Sequence, residues 1–345
     1  MQDNKGKFTQ PEILSQPETW KETLRYLKTD WVGKLPNLQD YDQIIITGCG
    51  STYYLSIWAA RFLHCNVGIP AIALPSSELW YSGKLWLKPF KKTLLIAISR
   101  SGQTTETLQA LNLFLKFQKR DALAITCYQD SPLARMVPLS ITTTAGMEQS
   151  VAQTRSFSNM MWPIILLSEK NISEELITTI HDSAQSLLSN YQATAREIGN
   201  DPTIERFFFL GNGPLFGLSQ EVMLKMKEMS LSYSEAFHFL EFRHGPMSMV
   251  NSQSLIVGFT NQATHAFELP VFHDMQKLGG LTLAVGKFAE KPQSINYLFN
   301  IDKNVPFAWS YPFYLPLVQL IAFERSIAKG LNPDRPENLT AVVEL

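Results

Sequence analysis

The feature that most constrains this chain is a repeated order of local signals: an apolar run of strand length, a polar or glycine-rich turn, then a helical stretch. It occurs in "YDQIIITGCGSTYYLSIWAARFL" (41–63), in "KKTLLIAISRSGQTTETLQALNLFLKF" (91–117) and again in "ERFFFLGNGPLFGLSQEVMLKMKEM" (205–229). The runs "ALAITC", "PLSITTT", "SLIVGFT" and "LTLAVG" add further short strands, and "YPFYLPLVQLIAFERSIAKG" reads as a closing helix. Strands that alternate with helices predict a parallel sheet covered by helices on both faces. In that architecture ligands sit beyond the C-terminal ends of the strands. The polar turns lie at that end.

A chain of 345 residues is long enough for two domains of this kind. The expected fold class is α/β, with two doubly wound parallel-sheet subdomains, flavodoxin-like or Rossmann-like, in tandem. Residues 1–35 read as a proline-punctuated helical arm anchored by Ile13, Leu14, Trp20, Leu24 and Leu27. Residues 36–170 form the first α/β domain, 171–200 a connector helix, and 201–345 the second domain, a divergent copy of the first. The copy differs at one turn: "GFTNQATHAFELP" stands where "AISRSGQTTETL" stood, without its serine–glycine core. An anion held by the first half is therefore not expected in the second.

Composition removes several classes of partner. Thirty Lys and Arg against 31 Asp and Glu, without long basic runs, argue against nucleic acid or an anionic membrane as partner. No uncharged apolar run approaches the roughly 18 residues of a membrane span, and the polar start "MQDNKGKFTQPEIL" shows no secretory signal. Cys49, Cys65 and Cys127 lack metal-type spacing and read as reduced thiols, so a cytoplasmic location is expected. No His or Cys ligand spacing predicts a metal. There is no P-loop, and Tyr53 stands at the third glycine position of an otherwise dinucleotide-like "GCGSTY". No cofactor is expected.

Two stretches carry candidate chemistry. In "IAISRSGQTTETL" (96–108), Ser99, Ser101, Gly102, Thr104 and Thr105 either cap a helix or cradle an anion at its N-terminus. In the helix read over 219–237, Glu221, Lys225 and Glu228 share one face. They form a solvated charged stripe or supply a general base. His244, held before Gly245-Pro246, could shuttle a proton to the same pocket. His64 and His181 lie within helical stretches, and His265 and His273 show no partner.

Six segments in order, "EILSQP", "TGCGST", "ISRSGQTTETL", "EQSVAQTRSF", "EVMLKMKEMSLSYSEAFHFLEFRHGP" and "NPDRPENL", resemble the tandem sugar isomerase (SIS) domains of amino-sugar phosphate enzymes. The likeness is to the isomerase half of glucosamine-6-phosphate synthase and to stand-alone amino-sugar-phosphate deaminases and deglycases. It implies that Ser99, Arg100, Ser101 and Thr104, with Ser51 and Thr52 from the glycine turn, bind the phosphate of a sugar. It further implies that Val151 and Gln153 line the sugar. Glu228 would move a proton between carbons 1 and 2, Lys225 would stand one turn earlier, and His244 would assist ring opening from the neighbouring subunit of a homodimer. The synthase's glutamine-hydrolysing domain has no counterpart in these residues, and Ala341 falls at the position of its Schiff-base lysine. With the "SRSG" and "SVAQTRSF" spellings, these departures imply an isomerising deaminase. A fructosamine-type 6-phosphate deglycase, a plain phosphosugar aldose–ketose isomerase and a sugar-phosphate sensor stay as alternatives.

Overall fold

The computed structural model describes residues 5–88, 91–118 and 121–340. Two arm helices, α1 (Thr9–Leu14) and α2 (Gln16–Asp30), precede the first strand. The chain divides into two compact units. The first comprises Glu18–Glu148 and Arg155–Ile177; the second gathers residues 5–17, Gln149–Thr154 and Thr178–Leu339. The arm thus splits at Pro17, and a six-residue piece of the "EQSVAQTRSF" segment leaves the first unit for the second. Of the expected anchors, Ile13, Trp20, Leu24 and Leu27 are buried and Leu14 is half-buried. Trp20 meets Trp162 edge to face and donates its indole N–H to Ser158 Oγ at 2.8 Å.

In the first unit, β1 (Gln43–Gly48), β2 (Ala71–Pro75), β3 (Thr93–Ile98), β4 (Ala122–Thr126) and β5 (Leu139–Thr142) form one parallel sheet in the order β2-β1-β3-β4-β5. The helices α3 (Ser51–Val67), α4 (Ser76–Trp86), α5 (Thr105–Phe117), α6 (Pro132–Met136) and α7 (Arg155–Ser168) follow their strands. Every residue of β1 and β3 is buried, as near-continuous apolar runs require when both faces are covered. Ile45, Leu95, Ala97, Leu111 and Phe114 anchor one core cluster.

After α8 (Glu174–Asn200) the second unit repeats this plan. Its strands are β6 (Arg206–Gly211), β7 (Tyr233–Phe237), β8 (Ser254–Phe259), β9 (Leu281–Gly286) and β10 (Tyr297–Asn300), with α9 (Pro214–Ser230), α10 (Phe239–Phe242), α11 (His265–Lys277) and α12 (Pro316–Ala328). The order β10-β9-β8-β6-β7 is the same topology counted from β6, all parallel. The duplication extends to the backbone of the first turn. Gly50 has φ 54° and ψ −125°, and Gly213 has φ 53° and ψ −132°, a left-handed region that favours glycine.

Three strands were not among those expected: β2, β7 and β10, all at sheet edges and mostly half-buried. The helix read through residue 237 ends at Ser230, where Leu231 turns the chain with φ 48°. "YSEAF" then pairs with β6 as an edge strand. Among the described residues, no helix is long and apolar enough to cross a membrane.

Candidate functional site

In the first unit the sheet order reverses between β1 and β3, and the loops that follow these two strands flank that crevice. The β3 loop is built by its own hydroxyls. Ser99 Oγ lies 3.0 Å from Thr104 Oγ1 and accepts the Gly102 N–H at 3.1 Å, while Ser101 Oγ accepts the Gln103 N–H at 3.1 Å. Thr104 is the N-cap of α5, yet its side chain makes no capping hydrogen bond. Gly102 has φ 62°, and a Cβ there would lie 2.2 Å from Ser131 Oγ. The loop is therefore packed closely against the residues that follow β4. A half-exposed Ser101 and Thr104 stand at the helix entrance, where N–H groups and the helix dipole favour an anion. The side-chain cap that the sequence offered is not made by Thr104.

Beside these loops, β1, α4 and α5 meet through hydroxyl contacts. Thr47, Ser76 and Thr107 form a buried chain of hydroxyls at 3.1 and 3.0 Å, and Cys49 Sγ lies 3.7 Å from Thr107 Oγ1. Thr52 Oγ1 donates to Cys49 O and accepts the Cys49 N–H, both at 2.9 Å, so its one proton is committed to shaping the turn. Arg100 is buried and paired with Glu148 at 3.4 Å. Glu148, fully buried in its side chain, also accepts from the Ser156 N–H at 3.3 Å and the Ser156 hydroxyl. The Arg100 main-chain carbonyl accepts from Thr126 Oγ1 at 3.0 Å and from Cys127 N–H at 3.1 Å. The guanidinium's charge is thus opposed within the first unit. Glu148 stood in a quoted motif but was not among the candidate site residues; its partner is 48 positions away in sequence.

In the second unit, α9 carries the charged face inward. Glu221 and Lys225 are 0 % exposed, so the stripe is not solvated. Lys225 Nζ lies 3.3 Å from Glu221 Oε1 and donates to Glu228 Oε2, and the Glu228 side chain keeps 18 % exposure. Burial alone would lower the Lys225 pKa, but the two carboxylates outweigh it and raise it, so the ammonium stays charged. A carboxylate held against a buried cation, with one edge open, is suited to take and return a proton. His244 is exposed on the loop after α10, before Gly245 with φ 124°. It contacts neither Glu228 nor Lys225 among the described contacts.

Ser99 and Ser101 belong to the first unit and Val151 and Gln153 to the second. Three of the sequence motifs meet there as one knot. Glu12 accepts the N–H groups of Gln149 and Ser150, the latter at 3.3 Å. Asp334 Oδ1 accepts the Thr9 N–H and hydroxyl, each at 2.8 Å, and Asp334 O accepts the Val151 N–H at 3.0 Å. Gln153 Oε1 is buried without a hydrogen-bond donor. Ala341 lies outside the described residues.

The second unit's own reversal point, between β6 and β8, is filled from within. Glu268 is fully buried and accepts from Thr264 Oγ1 at 2.7 Å, the Asn261 N–H at 3.1 Å and Asn212 Nδ2 at 3.3 Å. Burial raises its pKa and these three donors oppose the rise. A buried carboxylate thus lies beside the loops after β6 and β8, where the first unit has its serine–glycine loop. Among the described residues, no group of three or more His, Cys, Asp or Glu side chains is arranged to hold a metal ion.

Residues 37–168 match the model of the SIS domain. Over 97% of its length the chain is 26% identical to the glutamine–fructose-6-phosphate aminotransferase (isomerizing) of Methanothermobacter thermautotrophicus, and it spans 57% of that relative. It superposes on the tagatose-6-phosphate ketose/aldose isomerase of Escherichia coli with a TM-score of 0.82 at 23% identity, covering 95% of this chain and 94% of that one. The glucosamine-6-phosphate deaminase of Thermotoga maritima gives 0.76 at 24% identity, covering 97% and 100%. At these identities the structural likeness speaks for the fold.

Proposed function

Because residues 37–168 are an SIS domain, we propose that this protein isomerises a sugar phosphate and, more narrowly, that it is an isomerising deaminase of an amino-sugar 6-phosphate. The observation that carries the reading is the buried Glu221–Lys225–Glu228 cluster, whose last carboxylate alone keeps an open edge. A sensor that only binds needs no buried charge aligned in this way. In this reading the phosphate docks on Ser99, Ser101 and Thr104, with Ser51 and Thr52 of the glycine turn beside it. Arg100, balanced by Glu148, stiffens that loop more than it attracts the anion. His244 assists ring opening, acting from the neighbouring copy in a homodimer.

The chemistry then proceeds on the open-chain sugar. Glu228 removes the proton from carbon 2, which carries the amine, and the electron pair moves toward the carbon 1 oxygen. Return of that proton at carbon 1, with one amine proton passing to the carbon 1 oxygen, leaves an imine at carbon 2. Water adds to carbon 2, the carbon–nitrogen bond breaks, and ammonia departs from a ketose 6-phosphate. Lys225 donates a hydrogen bond to Glu228 and so fixes where its carboxylate meets the sugar. Val151 and Gln153 line the sugar.

The test is to incubate the purified chain with glucosamine 6-phosphate and galactosamine 6-phosphate, and with a fructose–lysine 6-phosphate and tagatose 6-phosphate, measuring ammonia, free amino acid and ketose or aldose phosphate. Equal release of ammonia and ketose phosphate is expected from an amino sugar. Isomerised sugar without ammonia, or free lysine instead, would replace the deaminase reading. Glu228→Gln is expected to abolish turnover while leaving phosphate-ligand binding nearly unchanged; full activity in that variant would remove Glu228 from the mechanism.

A further inference from the structure

The proposed chemistry leaves one large feature of the second unit unused. A cavity of about 930 Å³ opens beyond the C-terminal ends of β8, β9 and β10. Its size is at the upper end of the roughly 300–1,000 Å³ range of small-molecule pockets, more than a hexose phosphate would fill. Its walls combine two kinds of group. Tyr191, Phe288, Phe307 and Tyr314 supply aromatic surface, while Lys287 and Lys303 supply positive charge against the single carboxylate of Asp302.

The walls are fixed before any ligand arrives. Tyr314 donates its hydroxyl to Thr260 O at 2.8 Å, and Phe288 stacks on His265 with ring centroids 4.4 Å apart. Asn300 ties β10 to the loop after β9 through two bonds with the Phe288 main chain, at 2.9 and 3.0 Å. Asp302 is engaged by the Ser183 hydroxyl at 2.7 Å and the Asn304 N–H at 2.9 Å, and Lys287 donates to Val305 O. Lys303 is exposed and its charge interacts with Asp302, so Lys287 and Lys303 against that one carboxylate leave the lining with a net positive charge.

We propose that this cavity is a second ligand site, distinct from the sugar-phosphate cradle, and that it takes a nucleoside phosphate. A planar base suits the aromatic walls, and the phosphate suits the lysines. A hexose phosphate would meet the lysines but has no planar base for the aromatic walls, and Glu268 with no serine-rich loop stands at the reversal point beside the cavity. The preformed walls favour binding because few groups need ordering on association.

Isothermal titration calorimetry of the full chain with ADP, GDP and UDP tests this. At least one is expected to bind with a Kd between about 10 μM and 1 mM, weakening as salt rises. Lys303→Glu and Phe307→Ala change exposed side chains. Each is expected to weaken binding about tenfold, from loss of a charge contact or a stacking face, with the thermal unfolding midpoint unchanged. Excess fructose 6-phosphate is expected not to displace the nucleotide. Absence of binding by all three nucleotides, indifference to both substitutions, or displacement by fructose 6-phosphate would each overturn the proposal.

Discussion

Replacing Lys225 by methionine keeps most of the side-chain volume and removes the one ammonium between Glu221 and Glu228. Glu228 has an open edge and can be solvated, but Glu221 is fully buried with its carboxylate 3.3 Å from the lost charge. Removing one partner of a buried pair costs about 3–5 kcal/mol, because the survivor is left uncompensated. The penalty should depend on pH, with a sign that can be worked out. In the wild type the folded pKa of Lys225 is raised, so its contribution is fully present below the unfolded value of about 10.4 and is lost only as pH rises through the folded value. Between pH 5 and 8 it does not change. In the variant, loss of that cation is expected to raise the folded pKa of the buried Glu221 above its unfolded value. Its relative stability is then greatest below that unfolded value and falls as pH rises through the folded one, by up to about 1.4 kcal/mol per pH unit. Urea unfolding followed by circular dichroism at pH 5 and pH 8 measures both effects. Lys225→Met is expected to be much less stable at pH 8 than at pH 5 relative to wild type. Adding Glu221→Leu should recover most of the loss, since a well-packed apolar pair often matches a buried ion pair. A loss under about 1 kcal/mol at both pH values, or no recovery in the double variant, would refute the claim that this cluster is a compensated buried charge.

Other consequences are as direct. Gly102→Ala forces a side chain into a left-handed conformation and onto Ser131 Oγ, 2.2 Å from the new Cβ. It is expected to distort the loop and weaken hexose 6-phosphate binding in a titration at least about tenfold, with little effect on the second unit. If His244 serves the neighbouring copy's site, mixing inactive Glu228→Gln and His244→Ala chains should restore about a quarter of wild-type turnover, because half the dimers are mixed and each has one intact site; no recovery would put both groups in one chain's site. Thiol labelling with a maleimide at pH 8 should modify exposed Cys65 first and the half-buried Cys49 slowly. Cys127, whose thiol pKa burial pushes up to about 12, should react only after unfolding.

Much of the fold was legible in order and pattern. The runs at 44–47, 94–98 and 207–210 are apolar without alternation because both faces of a parallel sheet are covered, and each became a fully buried strand segment. The glycine turns marked the strand ends in both halves because Gly50 and Gly213 need a left-handed backbone. Edge strands β2, β7 and β10 were missed: "AIALP" and "YLFN" are apolar but only four or five residues long, and "YSEAF" joined the preceding helical period until Leu231 broke it.

For the site, sequence supplied the residue types and their local spacing. The serine–glycine loop, and Glu221, Lys225 and Glu228 on one helical face, follow from neighbours within a few positions. Whether that face was wet or buried could not follow, because burial depends on what packs against α9, and α12 comes from about a hundred residues later. The same holds for Glu148 opposing Arg100, for Asp334 holding Thr9, and for Glu268 filling the second reversal point. Sequence determined the repeated α/β units and the location of their turns, since these are short-range preferences of the backbone and of apolar periodicity. Tertiary structure decided which charges lose water and which partner each one finds, since desolvation and pairing are set by groups distant in the chain.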